Sequence, residues 1–132
     1  MPNTVIPETH RDLLAARPAV TLATIGPDGF PQVTAAWFLV DVDGKVKMSL
    51  NTSRQKVKNL RRHPEGTLFF IDPDNPYRTL EVRARAEIVP DPDYAFADRI
   101  GAKYGADLRK NDRPGESRVV VTFTPTRVNT YG

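Results

Sequence analysis

Side chains able to do chemistry concentrate in one stretch of the chain. From Lys45 to His63 there are Lys45, Lys47, Arg54, Lys56, Lys58, Arg61 and Arg62, and no acidic residue. The rest of the chain holds more acid than base, so the net charge of +3 is local rather than general. A local positive field suits a small anionic ligand better than a long polyanion. Lys45, Lys47, Ser49 and Asn51 alternate with Val46, Met48 and Leu50, which is a strand with one polar face. That face runs into the start of a helix carrying Arg54 and Lys56, with Ser53 as its expected cap. Free first-turn amides, the positive end of the helix dipole, two hydroxyls and two cations converge there. Arginine can grip phosphate through two parallel hydrogen bonds, and lysine adds a point charge. The pattern is that of a phosphate site built without a P-loop. A capped helix with solvated cations has the same spacing, and spacing does not separate the two.

Other chemistries find little support. The absence of cysteine removes disulfides, thiolate nucleophiles and thiolate metal sites. It fits a reducing compartment, and a cytoplasmic location is expected. His10 lies near the N-terminus and His63 at a helix end before Pro64, where a basic side chain serves the helix dipole. No G-x-S-x-G or G-x-G element occurs. The first residues lack the basic and apolar regions of a secretion signal. The longest apolar run, Ala35 to Val40, is far short of the ~20 residues that a membrane helix needs. Phe and Trp fall mostly in apolar runs rather than on a basic sheet face, so neither nucleic acid nor membrane is an expected partner.

The elements that must position the cationic turn are mostly strands. Thr9 and Asp12 suggest a capping box for a first short helix with Leu13 and Leu14 on its apolar side, stopped by Pro18. Strands are predicted at Ala19 to Ile25 and about Pro31 to Val42. An Asp43-Gly44 hairpin then leads into Lys45 to Asn51. A helix over about Arg54 to Arg62 is followed by a strand at Thr67 to Asp72 and a loop over Asp72 to Pro76. From Thr79 to Val89, apolar Leu80, Val82, Ala84, Ala86 and Ile88 alternate with Thr79, Glu81, Arg83, Arg85 and Glu87, which is a half-buried strand. Cross-strand pairing is the expected use of its charges, with a dimer contact as the alternative. Asp91 and Pro92 open a helix that reaches Tyr104 and stops at Gly105. After a polar loop (Lys110 to Ser117), a strand at Arg118 to Thr124 is broken by Pro125 and resumes to Tyr131. The elements point to a mainly β (α+β) fold, six antiparallel strands closed into a barrel with about three flanking helices, one domain over residues 1–132, and the family resemblance that follows implies a split barrel.

At this level of detail the chain resembles the pyridoxamine-phosphate-oxidase-like, FMN-binding split-barrel superfamily. Within it the chain is most similar to the small actinobacterial branch that uses the deazaflavin coenzyme F420. The resemblance runs over about residues 20–131. It rests on Leu22-Ala23-Thr24-Ile25, Asp28-Gly29-Phe30-Pro31-Gln32-Val33, Trp37-Phe38, the segment from Ser53 to Pro64, Asp72 to Arg78 leading into Leu80-Glu81-Val82-Arg83, and Phe123 to Val128. Members often carry glycine where this chain has Ala84, a small change for the fold.

The resemblance implies a redox cofactor on the outside of the barrel, at a two-fold homodimer interface. Arg54 and Lys56 would hold its phosphate, assisted by Ser49 and Asn59. Gln32, Val33 and Thr34 would line its ring system, and Tyr77 and Arg78, brought by the partner subunit, would wall the pocket. Trp37 is assigned to packing before ligand contact. A small barrel fills its own interior with side chains, which agrees with an external site. The activity implied is F420-dependent hydride transfer to a small organic acceptor. The alternatives are an FMN-dependent oxidase or reductase and a non-catalytic flavin or deazaflavin carrier. No metal is expected, and no residue is assigned as catalytic beyond Tyr77 as one source of a proton, solvent being the other.

Overall fold

The computed structural model describes residues 3–15 and 19–132. An N-terminal 3-10 helix, Glu8–Ala15, buries Leu13 and Leu14; the stop assigned to Pro18 lies outside the described residues. The strands are β1 (Val20–Ile25), β2 (Pro31–Ala36), β3 (Leu39–Val40), β4 (Val46–Asn51), β5 (Glu65–Asp72), β6 (Asn75–Pro90) and β7 (Arg118–Tyr131). The helices are α1 (Gln55–Arg62), α2 (Ala95–Tyr104) and α3 (Leu108–Asn111).

All strand pairs are antiparallel, and one sheet runs in the order β2-β1-β5-β6-β7-β4-β3. Seven strands at normal spacing would span about 29 Å if flat. Yet the two ends of the order, β2 and β3, are joined only by Trp37 and Phe38. The step from Ala36 to Leu39 reaches at most about 11 Å. The sheet therefore curls until its edges nearly meet, and a split barrel results. The expectation of six strands is corrected to seven. The long strand read from Pro31 breaks at Trp37-Phe38, because Phe38 turns into the core (1 % exposed) while Trp37 turns out.

Inside the barrel, Val20, Leu22, Val46, Met48, Leu68, Leu80, Val82, Val121 and Phe123 form a continuous apolar core with Val57 and Leu60 of α1. The period-2 pattern of β6 is realised: Leu80, Val82, Ala84 and Ala86 are buried. Of its charges, Glu81 lies 3.4 Å from Arg83 Nε along the strand and also accepts from Asn129 Nδ2 on β7 at 2.7 Å, across the pair. A second cluster (Leu39, Phe96, Ala97, Ile100 and Leu108) fixes α2 and α3 against the barrel.

Three further expectations need correction. Asp72 to Pro76 is a tight hairpin, not a loop, since Asp72 pairs with Asn75. Pro125 does not break its strand. It sits at a register shift where Ala84 faces Pro125 and Arg83 faces Arg127, a bulge that absorbs the missing amide. The second long helix begins at Ala95, after a turn whose last residue, Tyr94, is left-handed at φ 61. Asp91 still caps it, accepting from the amides of Phe96 (3.3 Å) and Ala97 (3.0 Å). Gly105 ends it at φ 69.

Candidate functional site

The turn from β4 into α1 is held from beneath by a buried polar network. Asn51 Oδ1 accepts from the amide (2.9 Å) and hydroxyl (2.8 Å) of Ser53, closing an Asx turn. Ser53 is thus bound back to Asn51 and is not the cap expected; Arg54 occupies that position, extended and with no side-chain capping bond. Asn51 Nδ2 in turn donates to Asp112 Oδ1 at 3.1 Å. Asp112 also receives Arg118 through two bonds (Nε 2.7 Å, Nη2 2.9 Å) and the Tyr94 hydroxyl (2.7 Å). Asp112 and Arg118 side chains are only 6 % and 11 % exposed. The Arg118 guanidinium holds the Asp112 carboxyl at about 2, well below the usual range, against the opposing effect of burial.

Above this network the first turn of α1 is only partly satisfied among the described residues: the Arg54 amide donates to the Asn51 carbonyl at 3.0 Å. No acidic residue lies in its first turn. The amides of Gln55 and Lys56 find no acceptor among the described residues. Among the described residues, neither Arg54 nor Lys56 pairs with a carboxylate. Lys56 reaches only the carbonyl of Ala35 on β2, at 3.3 Å. Burial, with Arg54 nearby, pushes the Lys56 ammonium below the usual lysine range. A bound anion would relieve both effects.

A cavity of about 710 Å³ opens at this point. It lies at the split of the barrel, between β2, the end of β4, the start of α1, and α2 with α3. Gln32, Thr34, Trp37, Ser49, Ser53, Arg54, Lys56 and Arg118 line it, together with Ile100 and Leu108. No Asp, Glu, His or Tyr does. Thr34 Oγ1 is buried without any hydrogen-bond partner. β2 is an edge strand, so part of its backbone is also free toward this side.

The structure gathers Gln32, Thr34, Ser49, Arg54 and Lys56 around one cavity. Gln32 and Thr34 lie opposite Thr24 and Leu22, on the core side of the sheet. Val33 consequently faces outward (61 % exposed) and does not line the cavity. Asn59 is buried behind it. Its Nδ2 donates to Thr24 Oγ1 (3.0 Å) and Gln32 Oε1 (3.1 Å), and its Oδ1 accepts from Gln55, so it orients Gln32. Tyr77 and Arg78 do not reach the cavity of their own chain. Tyr77 is exposed, and Arg78 is engaged with Asp12 and with Asp72 (2.9 Å). Trp37 is not core: it lines the cavity and stacks on Tyr104. Asp112 and Arg118 were not foreseen, and Asn51 only as part of the polar face of β4. The available signal was an acid and a base flanking the Gly115 turn, six residues apart.

The basic stretch is less uniform than its composition. Lys47 is tied to Asp41 (2.8 Å) and Asp43 (3.3 Å), away from the cavity. His63 pairs with Glu65 at 3.2 Å, as suits a helix end. His10 is buried, with Nε2 3.2 Å from the Tyr131 carbonyl. Among the described residues that line the cavity, Arg54 and Lys56 are the cations without a carboxylate partner, because Arg118 is neutralised by Asp112.

Comparisons with known proteins follow the same lines. A family model described as pyridoxamine 5'-phosphate oxidase matches residues 6–132. No curated protein sequence matches. Among solved structures, an F420 reductase is 39 % identical, with a TM-score of 0.81 over 94 % of this chain and 98 % of its own. A conserved hypothetical protein of Mycobacterium tuberculosis is 29 % identical, with a TM-score of 0.75 over 97 % of this chain and 86 % of its own. The heme storage protein HutZ of Vibrio cholerae, 18 % identical, shares the fold at a TM-score of 0.69 over 94 % of this chain and 93 % of its own.

Proposed function

This chain belongs to the pyridoxamine 5'-phosphate oxidase family, and from that premise we propose that it is an F420-dependent reductase acting on a small organic acceptor. The carrying observation is the start of α1: two cations without acidic partners and two amides without acceptors, facing a cavity that no carboxylate lines. The likeness to an F420 reductase over nearly the whole of both chains supports the choice of cofactor.

The residues present fit such a group. Arg54, Lys56 and the Gln55 and Lys56 amides bind its phosphate. Thr34 Oγ1, buried and unpartnered, offers a hydrogen bond to a polar edge of the ring. Gln32, held by Asn59, presents its amide beside it. When bound, the cofactor supplies the hydride; the protein binds, orients and shields. With no acid on the cavity wall, the proton for the product comes from solvent or from Tyr77 of a second copy.

A homodimer is part of the proposal. The outer face of β1, β2 and β5 shows Ile25, Val33 and Ile71 to solvent. Tyr77 reaches a cavity only if a second copy brings it. Arg78 is already committed to Asp12 and Asp72, so its contribution there is to hold the hairpin that carries Tyr77.

Titration of the purified protein with F420 and with FMN, followed by their visible absorbance, tests the reading. Saturable micromolar binding of F420, tighter than FMN, and oxidation of reduced F420 on adding menadione support it. Tighter binding of FMN replaces the cofactor. Binding of neither at micromolar concentration overturns it, and binding without turnover against a panel of acceptors makes the protein a carrier.

A further inference from the structure

The cavity has two unlike walls. The β2–α1 wall is polar, with Gln32, Thr34, Ser53, Arg54 and Lys56. The wall toward α2 and α3 carries the apolar Ile100 and Leu108, and Trp37 lines the same cavity. Trp37 is 38 % exposed, which is unusual beside the buried Ala36 and Phe38. Its indole is stacked flat on Tyr104, with ring centroids 4.5 Å apart and planes within 4°. Tyr104 is itself fixed. Its hydroxyl accepts from the Phe38 amide at 3.2 Å and donates to the Phe38 carbonyl at 3.3 Å. Lys103, the preceding residue, donates to the same carbonyl at 2.6 Å. Tyr104 does not line the cavity, so the indole is the ring the cavity meets.

We infer that Trp37 is a preorganised platform for the acceptor, selecting a flat aromatic or quinone-like ring over a puckered one of similar size. The inference deepens the function proposed above and rests on it. Three observations lead to it. A large ring is held outward at an entropic cost already met by Tyr104, which is how a preorganised contact gains affinity. Ile100 and Leu108 offer a ring no hydrogen bonds, so flatness and apolar area are what they and the indole can recognise, while Ser49, Asn51 and Arg118 on the same cavity can meet a ring's oxygens. The cations of the opposite wall disfavour a positively charged acceptor and favour one that gains negative charge on reduction. The polar wall, with its orphaned hydroxyl, is the better seat for a heteroatom-rich cofactor ring. Tyr104 acts through Trp37 and is a positioning residue.

Trp37 is the only tryptophan in the chain, so its emission reports on this wall alone. The test uses the full chain with menadione as the flat probe and trans-1-decalone as the puckered one. Emission quenching is measured on the wild type, and equilibrium dialysis on wild type, Trp37→Phe, Trp37→Leu and Tyr104→Leu. Menadione should quench saturably and decalone should bind at least tenfold more weakly. Trp37→Leu should weaken menadione about tenfold, with Trp37→Phe in between. Tyr104→Leu should weaken it about threefold, the size expected for losing one stacked pair. F420 affinity, read in its own absorbance band, should stay within twofold in all three variants. Non-saturable quenching, equal affinity for the two probes, or unchanged menadione affinity in a folded Trp37→Leu overturns the inference. Parallel loss of F420 affinity also overturns it, since the indole would then seat the cofactor. Failure of F420 to bind the wild type is a separate result, which strikes the proposed function and leaves the menadione comparison readable.

Discussion

Lys56 is a side chain whose environment works against the free protein. It is half-buried, next to Arg54, with only the Ala35 carbonyl for company. Removing its charge should therefore help the empty fold and harm the ligand complex. Lys56→Met is expected to raise the melting temperature of the free protein by a few degrees and to weaken F420 about tenfold or more, as lost charge-assisted bonds do. Calorimetry and an absorbance titration on the same preparation check both halves. The depressed lysine also sets a sign for pH. Its charge is lost earlier on the alkaline side than that of an ordinary lysine, so as the pH rises affinity for the anion should begin to fall sooner than an ordinary lysine would allow. In Lys56→Met that alkaline limb should be absent.

Asp112 shows the opposite case. Its carboxyl titrates at about 2 in the folded chain, lowered first by Arg118, and at about 4 when unfolded. Its contribution to stability is complete above pH 4 and is lost as the pH falls from about 4 through 2. Asp112→Asn leaves Arg118 buried without a counter-charge and should cost about 3 kcal/mol at neutral pH. Denaturant melts at pH 7 and pH 2.5 test this: the difference between wild type and variant should shrink markedly at the lower pH. Asp112→Ala also removes the acceptor of Asn51 Nδ2, so in that variant the turn that presents Arg54 should loosen and ligand affinity should fall with stability.

At the scale of elements, α2 depends on a glycine that helix propensity would discard. A Cβ at Gly101 would lie 2.4 Å from the Ala106 carbonyl oxygen, a backbone atom held by the turn at Gly105. Gly101→Ala should destabilise the protein by about 2 kcal/mol, although alanine gains ~1 kcal/mol of propensity in an open helix. A melting shift in the other direction would mean that α2 ends differently in solution. The sequence conveyed such elements unevenly. β6 and α1 were legible because each has one apolar period and one polar face. The break at Trp37-Phe38 was not, since an apolar run does not tell which ring turns inward. Pro125 was misread because a missing amide is harmless at a bulge, and a bulge depends on the partner strand. Ser53 looked like a cap, but Asn51 two residues earlier competes for it. Of the cavity, the cations were readable as neighbours in sequence, whereas Gln32 and Thr34 came only from the family resemblance. Asn51, Asp112 and Arg118 meet only through the β4–β7 pairing.

At the scale of the molecule, the short β2–β3 connection is what makes a site. It forces the sheet to curl, and the split left between its edges opens beside the start of α1, whose first turn holds no acid. The interior is filled, so ligand and partner must both come from outside. A mass in solution of about 30 kDa, twice the 14.8 kDa chain, is expected. Val33→Glu, on the outward face of β2, should halve it; a wild-type monomer that binds F420 at full strength would remove the second copy from the site. No described helix is long and apolar enough to cross a membrane.

The central claim is that the start of α1 clamps the phosphate of a planar redox cofactor. Its most direct measurement is the F420 dissociation constant of the Arg54→Gln/Lys56→Gln double variant beside wild type, with circular dichroism confirming the fold. The account predicts at least a hundredfold loss of affinity in a protein that melts no lower than wild type. Undiminished affinity in the folded double variant would contradict it.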